Sequence, residues 1–161
     1  MSTTTTAGAT STDRIEKRVD LDAPRSRVWR ALTDYTQFNQ WFGVSLTAPF
    51  KPGAAVSGKM SHPKYAHVTL TVWVETLEPE RRFSFRWHPY AIEEGVDYAA
   101  EPTTLVTFTL EDAGAGTRLV IVESGFDAIP ESRRARAFSM NERGWTGQAE
   151  NLRKFLAGEV K

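Results

Sequence analysis

Gly116-Thr117-Arg118-Leu119-Val120-Ile121-Val122-Glu123-Ser124-Gly125-Phe126-Asp127 leads directly into a long helical pattern, and this junction decides the fold. Within it, Thr117–Ser124 places Leu119 and Ile121 on one face of a strand and Val120 and Val122 on the other, so the strand is apolar on both sides. From Pro130 the period becomes helical. Phe138, Trp145, Leu152 and Phe155 recur at close to seven-residue intervals, with Ala149 and Leu156 beside them. Arg133, Arg134, Arg136, Arg143, Arg153 and Lys154 fall mostly off that stripe. Such a helix covers a sheet through one face and shows charge to water on the other.

Upstream, Arg14–Leu21 alternates Ile15, Val19 and Leu21, with one polar interruption at Lys17. Pro24 stands where a helix takes its first residue. Val28, Trp29 and Leu32 then form a short apolar face at helical spacing, broken at Asp34 and Thr36. Phe38, Trp41 and Phe42 form a second, ended by Gly43. Strands are expected at Val44–Phe50, Ala55–Met60 and His67–Leu77, then over Phe83–Trp87, Thr104–Leu110 and Thr117–Ser124. Turns at Pro52–Gly53, Glu78–Glu80 and Asp112–Gly116 separate several of them. Residues 89–102 read as an irregular acidic loop. Met1–Thr12, rich in Ser, Thr, Ala and Gly, reads as a disordered tail before a single domain over 13–161.

Consecutive hairpins predict an antiparallel sheet, and segregated helices predict α+β rather than a doubly wound fold. The expected architecture is a helix-grip: a curved antiparallel sheet of about six to seven strands, two short helices and one long C-terminal helix. One helix cannot close a curved sheet along its whole length, so a cavity is expected between them.

The chain has 161 residues and no cysteine, which excludes disulfides, thiolate catalysis and zinc–thiolate sites. Lys plus Arg (20) equals Asp plus Glu (20), so no global field draws polyanions and nucleic acid is not an expected partner. No apolar run reaches the roughly 18 residues of a membrane span, and no leader pattern opens the chain. A cytoplasmic location is the expectation that remains.

Val19-Asp20-Leu21-Asp22-Ala23-Pro24 through Val28-Trp29-Arg30-Ala31-Leu32-Thr33-Asp34 resembles the opening of the START-like superfamily, and Trp41-Phe42-Gly43 fits it. Gly116-Thr117-Arg118-Leu119, Glu123-Ser124-Gly125-Phe126 and Asn141-Glu142-Arg143-Gly144-Trp145 with Leu152, Phe155 and Leu156 resemble one branch of it. That branch is the family of activator-of-heat-shock-protein-ninety-ATPase homologues (AHSA-like, SRPBCC, Bet v-like fold). The resemblance spans roughly residues 14–158. It implies the helix-grip fold and one of several functions: binding of lipids, polyketides or plant hormones, or regulation of a chaperone. It carries over no catalytic residue.

Site candidates come from chemistry on unexpected faces. His62, His67 and His88 are the three histidines; none has ligand spacing, and His62 and His88 precede prolines at strand ends. No metal and no cofactor are expected. No nucleophile elbow or phosphate-binding loop occurs, since Ser124 ends a strand and Gly114–Gly116 is a hairpin turn. Trp41, Phe42, Phe85, Trp87, Phe108, Phe126, Phe138 and Trp145 either fill a core or line a pocket. Trp73 shares its strand face with Thr69, Thr71 and Glu75, and that face is either solvent or a mixed-polarity cavity wall. Asn141 and Gln148 fall on the apolar helix stripe, and Glu123 on the face of Leu119 and Ile121. Burying such groups unpartnered costs roughly 1–3 kcal/mol. They therefore bond to backbone, to water or to a ligand, or make an internal hydrogen bond, or mark a stripe edge that reaches solvent. A buried Glu123 is expected to titrate high. Gly144, inside the helix, is read as a point of close approach to the sheet.

Three functions follow. The first is a binding protein for a small hydrophobic molecule seated between sheet and helix. The second is an interaction module acting on a protein partner in the manner of a chaperone ATPase activator. The third is an enzyme of the polyketide cyclase or aromatase kind, using Glu123 or a histidine as acid/base.

Overall fold

A computed structural model describes residues 13–89 and 101–158. The tail expected at 1–12 and residues 90–100 of the expected acidic loop lie outside the described residues, as do 159–161. The elements run β1 (Arg14–Leu21), α1 (Arg25–Thr33), α2 (Tyr35–Phe42), β2 (Val44–Leu46), β3 (Ala55–Met60), β4 (Thr69–Glu78), β5 (Arg82–Trp87), β6 (Thr104–Ala113), β7 (Gly116–Ser124) and α3 (Glu131–Leu156). Single 3-10 turns sit at Pro63–Tyr65 and Phe126–Ala128.

The seven strands form one antiparallel sheet in the order β1-β7-β6-β5-β4-β3-β2. Chain neighbours pair throughout from β2 to β7, and β1 closes against β7 with Ile15 opposite Glu123 and Val19 opposite Leu119. The α1–α2 pair therefore carries the chain from one edge of the sheet to the other. Asp34 divides the two helices: its extended backbone stops α1, and its carboxylate accepts the Thr36 N–H to start α2. Gly43, at φ 87°, closes α2 in the left-handed conformation that suits glycine. The helix-grip architecture expected from the sequence is the one found.

Several boundaries differ for local reasons. The strand expected over Val44–Phe50 stops at Leu46, because Pro49 has no N–H for the ladder. Phe50 turns into the core instead, 5.5 Å from the Phe38 ring and 4.9 Å from Phe83. The strand expected from His67 starts at Thr69, since the turn at Pro63–Tyr65 takes the Val68 N–H on the Tyr65 carbonyl. Lys17 is no interruption: it points to the core-facing side of β1 and reaches Glu142 on α3.

The core fills the concave face. Phe38, Phe83, Phe85, Phe108, Leu119 and Ile121 are all fully enclosed. On α3 the buried residues are Ala137, Trp145, Leu152 and Phe155, with Phe138 half-buried, which is the expected stripe. Gly144 corrects an expectation. It is exposed, and a Cβ built there meets nothing within 4 Å. No close approach requires it.

Candidate functional site

Strand β7 alternates Leu119, Ile121 and Glu123 toward the core, and Glu123 is completely buried there. Its register sets it opposite Val106 of β6 and Ile15 of β1. Trp87, the last residue of β5, pairs with Thr104, the first of β6, so both side chains arrive at the same level. Asn141 and Trp145, four apart on α3, come down from above.

These four uncharged groups enclose the carboxylate. Its Oε2 accepts from Trp87 Nε1 at 2.8 Å and from Thr104 Oγ1 at 2.5 Å. Its Oε1 accepts from Trp145 Nε1 at 2.8 Å. Asn141 Nδ2 stands 3.0 Å from both oxygens. Burial pushes the Glu123 carboxyl up, and the hydrogen bonds from Thr104, Trp87, Trp145 and Asn141 oppose it. Lys17, two residues along β1 from the position opposite Glu123, is taken by Glu142. Arg133 is paired with Glu101, whose carbonyl lies 3.1 Å from His88 Nε2.

The aromatic candidates assemble around this group. Trp87 and Trp145 stack at 5.6 Å with 25° between planes. Phe42 lies 5.9 Å from Trp87 and 6.2 Å from Trp145. Phe85 packs on Trp87 and Phe108 on Trp145. Trp41 packs on Phe42 and donates its indole N–H to the Ala31 carbonyl. Gln148 donates to the Phe42 carbonyl at 2.9 Å, tying α3 to α2. Phe126 and Phe138 form a separate edge-on pair near the start of α3. The three polar candidates on apolar faces thus have partners inside the protein.

Trp73 is a correction. It lies on the convex face, 39% exposed, with its ring edge-on to His88, and takes no part in the enclosed cluster. The solvent reading of its strand face holds, and the cavity-wall reading fails. Thr104 was missed, although its alternation with Val106, Phe108 and Leu110 is the same signal that singled out Glu123.

One end of the concave face is less covered. The backbone of α3 runs chiefly beside α2, β1, the 126–128 turn and α1. Long aromatic side chains span the remaining distance to β5. At the ends of β3 and β4 nearest Trp87, Met60 and Leu70 face the core yet stay only half-buried. Asn141, also half-buried, shares the Glu123 carboxylate with Trp87. Among the described residues no cluster of His, Asp or Glu is arranged to hold a metal, and no helix is long and apolar enough to cross a membrane.

Comparison with known proteins agrees with this architecture. Residues 22–157 match the family described as "Activator of Hsp90 ATPase homolog 1-like protein". Among solved structures, DynU16 from the dynemicin biosynthetic locus is 27% identical with a TM-score of 0.70; the match covers 90% of this chain and 47% of that one. The chain thus spans about half of that relative. Protein MLL2253 of Mesorhizobium loti is 24% identical with a TM-score of 0.72, covering 89% and 96% of the two chains. The Aha1 dimer of Colwellia psychrerythraea is 14% identical with a TM-score of 0.68, covering 89% and 95%, a likeness of fold. No relative matches among curated proteins.

Proposed function

The chain belongs to the Activator of Hsp90 ATPase homolog 1-like family, and we propose that it serves as a binding module for a small, largely apolar molecule. The observation that carries this reading is the half-burial of Met60 and Leu70 on the core-facing side of the sheet, toward the edge opposite the β1 strand that α3 follows. Apolar surface left wet forfeits roughly 25 cal/mol per Å², and a ligand seated against it recovers that free energy. Binding sites of this kind join an apolar wall to a few polar groups that fix orientation. Met60, Leu70 and Trp87 supply the wall, and Asn141 the polar group. The likeness to a protein from a biosynthetic locus supports small-molecule handling over contact with a chaperone.

Glu123 is the residue that a cyclase reading would use, but its oxygens already receive five donor contacts. A carboxylate has about four lone-pair positions. Glu123 therefore organises the site without offering a free base to a substrate.

The test is methyl NMR with naphthalene as the probe. Saturable, micromolar shifts at the Met60 and Leu70 methyls are expected. Shifts confined to the neighbourhood of Trp73, or no binding up to the solubility of the probe, would overturn the reading and bring the protein-partner function forward.

A further inference from the structure

Asn141 gives its Nδ2 to both oxygens of Glu123. The amide is planar, so its carbonyl oxygen points away from the carboxylate. No protein donor reaches that oxygen among the described residues, although Phe138 and Trp145 flank it on the same stripe of α3. The orientation is fixed by chemistry as well as by distance. Trp87 and Trp145 can only donate, so they occupy one carboxylate oxygen each. Among the atoms touching the carboxylate, Thr104 Oγ1 alone can accept as well as donate, and it stands closest, at 2.5 Å. A proton on Glu123 would go toward Thr104 and leave the Asn141 amide as it is. Charged neighbours do not compete for the carbonyl: Lys17 is held by Glu142, and Arg133 by Glu101.

We propose that the molecule bound beside Met60 and Leu70 presents a hydroxyl or N–H donor, received by Asn141 Oδ1, and that Glu123 is the positioning residue that turns this acceptor outward. The proposal rests on the binding-module reading and narrows it to amphiphilic ligands with a donor at one end. Ethers and hydrocarbons of the same shape gain only the apolar contact. The ligand gains a hydrogen bond with a donor, and a lone acceptor facing an ether loses its solvation besides, so discrimination of about tenfold is expected.

Three matched probes on the full chain test this: naphthalene, 2-naphthol and 2-methoxynaphthalene. The native protein should bind 2-naphthol about tenfold tighter than 2-methoxynaphthalene. Asn141→Leu should bring the two to parity while keeping naphthalene. Glu123→Gln should shrink the ratio as well, because its amide NH2 can bond the Asn141 carbonyl and turn it inward; a purely structural role for Glu123 would weaken all three probes alike. Should naphthalene bind while the native protein fails to separate naphthol from its methyl ether, the donor proposal falls and the binding reading stands. Should the native ratio survive in Asn141→Leu, Asn141 is not the acceptor and the proposal falls. If naphthalene itself does not bind, both fall together.

Discussion

Phe83 and Leu70 both face the concave side of the sheet, yet Phe83 is wholly enclosed and Leu70 only half-buried. Around Phe83 the rings of Phe50, Phe85 and Phe108 stand 4.9, 5.5 and 5.9 Å away, and Phe50 in turn packs on Phe38 of α2. Among the described residues β4 has no extended contact with a helix, and α3 follows β1 at the opposite edge. The polar groups collect toward the less covered end: Glu123, Thr104 and Asn141 replace the all-carbon packing of the filled half. Hydrophobic alternation puts a residue on the inner face. The path of the covering helices decides whether anything lies over it.

This contrast breaks most visibly on truncation. Phe83→Ala should cost about 3–5 kcal/mol, the range of large aromatic core deletions. Leu70→Ala should cost only about 1 kcal/mol, in line with partial burial, while weakening naphthalene. Equal losses for the two in urea titrations would mean that the Met60–Leu70 end is as closed as the rest.

The next effect is at Glu123. Glu123→Gln puts an amide NH2 where two indole N–H groups, a hydroxyl and an amide already donate, so it should cost about 1–3 kcal/mol at low pH. Its pH course is a sharper check. Burial pushes the folded carboxyl above its unfolded value, so the folded state holds the proton more tightly. Stability of the native chain should thus fall as pH rises from about 4.3, the unfolded value, through the raised folded value, and then level. Glutamine has no proton to lose. The native advantage over the variant is expected to be largest in acid and to shrink as pH rises. The surface carboxylates Glu16, Asp34 and Glu150, whose values are lowered by their partners, act in the opposite sense but equally in both proteins. An advantage that grows with pH would show that the donors, not burial, dominate at Glu123.

The smallest effect is at Gly144 of α3. Gly144 is exposed with open space at its Cβ position. Gly144→Ala should stabilise by about 0.5–1 kcal/mol through helix propensity and leave naphthalene binding unchanged. A loss of stability in a thermal melt would reveal a contact that the open space denies.

Much of the site was legible because a polar residue on an apolar face announces itself. Glu123 among Leu119 and Ile121, and Asn141 and Gln148 among Phe138, Trp145 and Leu152, were readable from period alone. Their partners were not. That Gln148 would bond the Phe42 carbonyl depends on how α2 meets α3, across 106 residues of sequence. Trp73 misled for a related reason. Large aromatics suggest an interior, but its strand parity, opposite to Val72 and Val74, outranks its hydrophobicity and sends it to the convex face. Gly144 misled because helix-interior glycines often mark close packing, whereas it is exposed and open space surrounds its Cβ position.

The sequence by itself determined the antiparallel sheet, the two short helices and the long amphipathic one, because periods of two and of about 3.6 are local properties of the chain. It also determined which residues share a face. Only the tertiary structure decided that α3 would lie along β1 and leave Met60 and Leu70 half-covered. It alone decided that two tryptophans, a threonine and an asparagine from three different elements would converge on one buried carboxylate. Those outcomes depend on the sheet's curvature and on where a helix comes to rest across it, and both are set by the packing of side chains far apart in sequence.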